Sequence, residues 1–270
     1  MIGPLIAAGW VAGWLAAGRV HRLPAADGDG GAAWSGPSVS VVVPIRDEAA
    51  RLPALLGALT ADGRSDVEMI VVDDGSSDGS GDLARRAGAT VIEVGPPPGW
   101  TGKAWACWQG ALRASGDVLV FLDADVRNFD VHFVVGLLGP VLTEPGAALV
   151  KATYRRPLEG SDGPGGRVTE LVARPLLARL FPELAGVAQP LAGECAAPRS
   201  VLEAVAFADG YGVEVGLLID VAARCGPGAL AQVDLGERVH RNRPLDELAP
   251  QAAAVIDVVL DRAGWERQVR

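Results

Sequence analysis

Cysteine is scarce in this chain. Three occur in 270 residues, Cys107, Cys195 and Cys225, widely spaced and with no CxxC pair. An odd, scattered set excludes a disulfide framework and a thiolate zinc site, and it fits a reducing compartment. Positive charge is also in deficit, with 24 Lys and Arg against 33 Asp and Glu and a net charge of −9. That argues against general nucleic-acid binding. The basic residues are unevenly placed: Lys151, Arg155, Arg156 and Arg167 form one group, and Arg238, His240, Arg241 and Arg243 another. An acidic protein with local basic clusters suits small anions. Disorder is excluded by a hydrophobic fraction of 49% against 21% charged. The length allows one large α/β domain or two small ones.

The first eighteen residues, MIGPLIAAGWVAGWLAAG, lack charge altogether, and Arg19, His21 and Arg22 follow. Their length just reaches the lower limit of a membrane span. A signal peptide needs a positive n-region, which is missing. A single span would leave Arg19 and Arg22 on the cytoplasmic side. A membrane-skimming or oligomer-contact helix is the third reading, and Gly9-x-x-x-Gly13 would let such a helix pack closely. Residues 1–22 are therefore expected to be an apolar segment suited to membrane anchoring. Residues 23–37, rich in Pro, Gly, Ala and Asp, read as a linker.

The body begins at Val39-Ser40-Val41-Val42-Val43, a β-branched run closed by Pro44. It reads as a buried strand. A helix is expected over Ala49–Leu59, then a strand over Glu68–Val72, a helix over Ser80–Ala87 and a strand over Thr90–Val94. A helix over Ala104–Ala114 and a strand over Val118–Leu122 follow. Alternation at this spacing implies parallel βαβ units with right-handed crossovers. Beyond residue 140 the pattern reads as a strand over Ala147–Tyr154 and a glycine-rich loop over Glu159–Gly166. Helices over Val168–Leu180 and Gly212–Cys225, a strand over Ala231–Gly236 and a helix over Pro250–Ala263 complete it. No internal repeat is present. Residues 38–140 are expected to form the first half of one domain, and residues 141–270 to complete its sheet and build an acceptor site.

The strand exits carry the chemistry. The apolar run Val118–Leu122 ends in Asp123-Ala124-Asp125, two carboxylates one residue apart. Hard divalent cations take oxygen ligands, usually one or two carboxylates plus substrate phosphates. Open α/β sheets bind ligands at the carboxyl ends of their strands. The other exits are Pro44-Ile45-Arg46-Asp47-Glu48, Asp73-Asp74-Gly75-Ser76 and the helix start Gly102-Lys103. A base and ribose could lie against Pro44–Arg46 with Glu48 or Asp74. Lys103 could reach a phosphate as a point charge, and Asp125 could bind a metal. Each residue alone also reads as an ordinary polar turn; their joint occurrence points to a nucleotide.

VSVVVPIRDEA, VVDDGSSDGS, GK and FLDAD resemble the nucleotide-binding half of GT-A glycosyltransferases. LVKATYRRPL, GGRVTELVARPLL, QPLAGE, GYGVEVGLLID and AQVDLGERVHRNRPL resemble the glucosyl-3-phosphoglycerate synthases and the related mannosyl-3-phosphoglycerate synthases. The resemblance implies a GT-A, Rossmann-like fold with a mostly parallel sheet flanked by helices. It places Pro44, Ile45, Arg46, Glu48 and Asp74 on the uridine, Lys103 on the diphosphate, and Asp123 and Ala124 at the ribose or sugar. Asp74 stands where the family often has serine. Asp125 and His240 would hold Mg²⁺ or Mn²⁺. Gly166, Arg167 and Thr169, with Arg238, would receive phosphoglycerate, and Tyr211, Glu214 and Asn242 would line the sugar and acceptor. Asp125, Lys103 and Glu214 would carry the reaction.

The family retains anomeric configuration by front-side attack, so no enzymatic nucleophile is required and Glu214 is not assigned as one. A cytoplasmic homodimer using UDP-glucose follows from the same resemblance, at the inner face of the membrane if residues 1–18 anchor it. Three rivals stand beside it: a mannose donor, a lipid acceptor and a non-catalytic sugar-nucleotide module. The stretch Pro97–Ala106 looks like that of membrane-associated glycosyltransferases acting on hopanoids or carotenoids. Those carry further hydrophobic spans near the C-terminus, and none is seen here.

Overall fold

A computed structural model describes residues 20–22, 36–60, 67–97, 102–155, 157–158, 161–164, 166–239 and 244–265. The segment 1–19, most of the linker, His240 and Asn242 lie outside the described residues. Among the described residues no helix is long and apolar enough to cross a membrane.

The elements, in chain order, are β1 (Val20–Arg22), β2 (Val39–Ile45), α1 (Leu52–Thr60), β3 (Val67–Asp73), α2 (Ser80–Arg86), β4 (Thr90–Glu93), α3 (Gly102–Arg113) and β5 (Val118–Phe121). They continue with α4 (His132–Thr143), β6 (Leu149–Arg155), β7 (Pro157–Leu158), β8 (Ser161–Pro164), a π-helical turn (Thr169–Ala173) and α5 (Arg174–Leu180). Last come β9 (Cys195–Pro198), α6 (Arg199–Leu202), α7 (Val213–Cys225), β10 (Leu230–Glu237) and α8 (Leu245–Arg262).

Eight strands form one sheet in the order β1-β10-β6-β9-β5-β2-β3-β4. Every pairing is parallel except those of β9, which runs antiparallel between β5 and β6. The mostly parallel α/β fold is thus as expected. β2 and β5 are buried almost throughout, because helices cover both faces of a parallel sheet and leave no polar side. Successive residues serve opposite cores: Val42, Val72 and Phe121 enter one cluster, while Val41, Val43, Val71 and Val120 enter the other. Leu52, Leu55, Leu56 and Leu59 of α1 form a buried stripe at helical spacing. α3 packs onto β2 and β3 through Gly110, where a Cβ would run into the Val42 side chain. That close approach aims the start of α3, with Gly102 and Lys103, at the sheet's carboxyl edge.

The structure departs from expectation in several places, most of them in the second half. The loop expected over 159–166 contains the small antiparallel pair β7–β8. The helix expected over 168–180 opens with a π turn, in which the Arg174 N–H reaches back five residues to Thr169 O. Pro175 has no N–H with which to continue an ordinary α-helical ladder there. α8 starts at Leu245 and carries Pro250 inside it, rather than beginning at that proline. β9 and α4 had no expectation at all. β1, the end of the apolar N-terminal segment, adds the edge strand beside β10.

Candidate active site

The carboxyl ends of β2, β3 and β5, the start of α3 and the start of α7 converge on a cleft of about 560 Å³. Its walls include Pro44, Ile45, Arg46, Glu48, Asp74, Lys103, Asp123, Ala124 and Asp125 from the first half. From the second half come Gly166, Arg167, Thr169, Tyr211, Glu214 and Arg238. Every expected site residue within the described residues therefore meets in one place.

The base end is built by two stitched loops. Asp47 has φ 53, a left-handed conformation that asparagine and aspartate tolerate better than most residues. Its carboxylate accepts from the Ser77 N–H at 2.8 Å, and its own N–H donates to Ser76 Oγ at 3.0 Å. The Glu48 N–H donates to Ser80 Oγ at 2.9 Å. The exits of β2 and β3 are thereby locked together. Arg46, largely exposed, lies 3.4 Å from Asp74 Oδ2. Asp74 is buried and its Oδ1 has no hydrogen-bond partner. Burial raises its carboxyl above the ordinary value, and the Arg46 charge offsets part of that. A buried carboxylate oxygen with spare acceptor capacity suits a nucleobase N–H.

Further in, opposite charges interlock. Lys103 Nζ lies 2.6 Å from Asp123 Oδ1 and 2.6 Å from Glu214 Oε1. Burial alone would depress Lys103, but Asp123 and Glu214 together hold it well above its ordinary value. Glu214 stands in the first turn of α7, where the helix dipole favours a carboxylate. Arg238 is only 4% exposed. Its Nη2 is 2.8 Å from both Asp123 Oδ2 and Asp125 Oδ1, and its Nε is 2.9 Å from Glu194 Oε1. Tyr154 donates its hydroxyl to Glu194 Oε2 at 3.0 Å, and its ring lies under the guanidinium, 5.4 Å from the centroid. Burial works against the charge on Arg238, and Glu194, Tyr154 and the two aspartates outweigh it. Asp123 is thus clamped between two cations. Arg238, expected among the acceptor's cationic contacts, is committed to three carboxylates on the inner wall.

Asp123 and Asp125 already draw a guanidinium between them, so the pair fits a positive charge. Carboxylate oxygens suit Mg²⁺ or Mn²⁺. No group of three or more His, Cys, Asp or Glu side chains that could hold a metal occurs among the described residues. The further ligand expected at His240 lies outside them. Across the cleft, Gly166 adopts φ 86 and precedes Arg167 and the buried Thr169 at the mouth of the π turn. Tyr211, 41% exposed, sits at the rim.

Lys151, expected to share an anion-binding basic cluster with Arg155, Arg156 and Arg167, is instead buried inside the sheet. The apolar run around it, LVKATY, was the signal. Glu194, Tyr154 and Asp47 carry site geometry that residue type alone did not reveal. Burial pushes the Cys195 thiol up to about 11 and the Cys107 thiol higher still.

Residues 40–179 match the family described as Glycosyl transferase family 2. A glucosyl-3-phosphoglycerate synthase of Mycobacterium tuberculosis is 47% identical over an alignment covering 94% of this chain and 85% of that protein. The crystal structure of the M. tuberculosis enzyme with Mg²⁺ and uridine diphosphate superposes with a TM-score of 0.80 at 41% identity, over 99% of this chain and 85% of that one. The same enzyme with Mn²⁺, UDP-glucose and phosphoglyceric acid gives 0.78 at 44% identity, over 87% and 82%.

Proposed function

We propose, for a chain that belongs to glycosyl transferase family 2 and within it to the glucosyl-3-phosphoglycerate synthases, that its reaction moves glucose from UDP-glucose to 3-phosphoglycerate with retention of anomeric configuration. The observation that carries this reading is one cleft holding both ends of the transfer: the Lys103–Asp123–Arg238–Asp125 array on one wall and the Gly166–Thr169 segment on the other.

The residue roles rest on the family resemblance, and their chemistry agrees with it. Pro44, Ile45, Arg46, Glu48 and Asp74 would hold the uridine. Asp125, with His240, would hold the Mg²⁺ or Mn²⁺ that neutralises the leaving diphosphate as a Lewis acid. Lys103 would place a fixed positive charge beside the same phosphates, in a site where little solvent screens it. Asp123 and Ala124 would border the ribose and sugar, with Tyr211 and Glu214. Glu214 is already paired with Lys103, which supports a positioning part rather than a nucleophile's. Without a protein nucleophile, front-side attack with the leaving phosphate as base accounts for retention. Gly166, Arg167 and Thr169, with Asn242, would receive the carboxylate and phosphate of the acceptor, for which an arginine fork is well shaped.

The test is a donor–acceptor matrix read by mass spectrometry, with several nucleotide sugars, Mg²⁺ or Mn²⁺, and 3-phosphoglycerate present or withheld. The expected product is a hexosyl-phosphoglycerate, formed fastest from UDP-glucose, with the α-anomeric proton signal in its NMR spectrum. Donor hydrolysis without that product would overturn the acceptor assignment and move it to a lipid alcohol. A β-anomer would overturn retention.

A further inference from the structure

Lysine occurs twice in this chain against 22 arginines, and both lysines lie at the donor end. Lys103 is accounted for by Asp123 and Glu214. Lys151, on β6 and 2% exposed, is not used by any role above. A buried cation is costly unless something specific is gained from it.

Its Nζ donates to the carbonyl oxygen of Ala192 at 2.5 Å. The next two residues carry the consequence. Gly193 lies so close to Asp123 that a Cβ there would stand 2.6 Å from the Asp123 carboxyl carbon. Glu194, 1% exposed, holds Arg238, which bridges Asp123 and Asp125. The Glu194 carbonyl in turn accepts the Ala152 N–H at 3.0 Å, which ties the segment back to β6. Residues 192–194 therefore form a shelf against which the aspartate pair rests, and Lys151 pins its first residue. Lys151 and Glu214 also line one small cavity of about 20 Å³. Arginine would not serve here. Its planar fork is larger and brings five N–H donors to a place that offers Lys151 one carbonyl.

We propose that Lys151 is a positioning residue for the transfer: through the Ala192–Gly193–Glu194 shelf it fixes Asp123 and Asp125 in the arrangement that grips a metal-bound diphosphate. This rests on the donor reading above but not on the acceptor. The experiment is calorimetric binding of UDP, with and without Mn²⁺, to wild type, Lys151→Met and Gly193→Ala. Methionine approximates lysine's length without its charge, and replacing a buried ion by an apolar group is often neutral or stabilising.

The affinity for Mn²⁺–UDP is expected to fall about ten- to a hundredfold, as for other residues that orient metal ligands from behind. UDP alone should change less than about threefold, because the loops after β2 and β3 are untouched, and the melting temperature should hold or rise. A merely structural role would not divide the two affinities in this way. Gly193→Ala should weaken Mn²⁺–UDP binding as well, because its Cβ would press on the Asp123 carboxylate from the shelf itself. Unchanged Mn²⁺–UDP affinity in folded Lys151→Met overturns the proposal. So does unchanged affinity in folded Gly193→Ala, which decides the matter should Lys151→Met fail to fold. If wild type prefers another nucleoside diphosphate, that one is the probe. Failure to form glucosyl-phosphoglycerate would overturn the acceptor reading and leave this result standing.

Discussion

The two flanks of β9 are built differently. On one side, β2, β3, β4 and β5 are consecutive parallel strands joined by short crossovers, and their chemistry sits directly at the strand ends. On the other side, β6 and β10 pair in parallel although the chain from Arg155 to Leu230 lies between them. Their chemistry is carried by segments between elements: Gly166–Thr169, the 192–194 turn and Arg238. The first side is modular, each unit placing its polar residue by its own strand and helix. The second is assembled by distant contacts, as in the Arg238–Asp123 pair 115 residues apart. The strand-end residues of the first side thus depend on local order, whereas what the second side contributes, including the Arg238 and 192–194 support of the donor aspartates, depends on long-range closure.

Asp125→Ala should break the donor end most severely. Transfer should fall by about a thousandfold, the scale seen when a group facing developing charge is lost. The melting temperature should stay within a few degrees, since Arg238 keeps Asp123 and Glu194 as partners. Initial rates and thermal melts test both halves of that statement; normal turnover would remove Asp125 from the metal site. Arg167→Ala should act on the other wall alone. The acceptor KM should rise about tenfold or more while the donor KM stays within about twofold, as expected when one bidentate anion contact is lost. Equal effects on both would erase the division between the walls.

The same contrast governs what the sequence shows. Each donor-side strand could be read because a β-branched run ends in a polar cluster, as in Val39–Glu48 and Val118–Asp125. Periodicity sees local order, and local order placed Pro44, Asp74, Lys103 and Asp125 correctly at one edge. β9 was invisible because four residues, Cys-Ala-Ala-Pro, carry no β-branched signal; its place comes from the two strands it joins. Glu194 looked like one acid among many until folding set it between Tyr154 and Arg238. Asp47 read as part of a polar exit, while its left-handed backbone and bonds to Ser76 and Ser77 arise only when two loops meet. Resemblance to known synthases supplied Gly166, Arg167, Tyr211 and Glu214, which spacing alone would not have found.

The smallest expected effect separates the two lysines themselves. Burial is the largest influence on both, but only Lys103 has carboxylates close enough to reverse it. Lys103 is held above the ordinary value of 10.5, whereas Lys151 is depressed below it. The unfolded chain therefore binds more protons than the folded one at Lys151, between its lowered folded pKa and 10.5, and stability rises with pH across that window. At Lys103 the folded state holds its proton more tightly, so its stabilising share is complete below 10.5 and is lost only above it. Thermal melts of wild type, Lys151→Met and Lys103→Met between pH 7 and 10 divide the two cases. The melting temperature of Lys151→Met minus that of wild type should fall as pH rises, by a few degrees at most, because wild type sheds a buried charge that the variant never had. The same difference for Lys103→Met should stay flat. Parallel slopes for the two variants would mean that Lys151 keeps its proton as firmly as Lys103 does, and that the shelf is pinned by an ion pair rather than by one carbonyl.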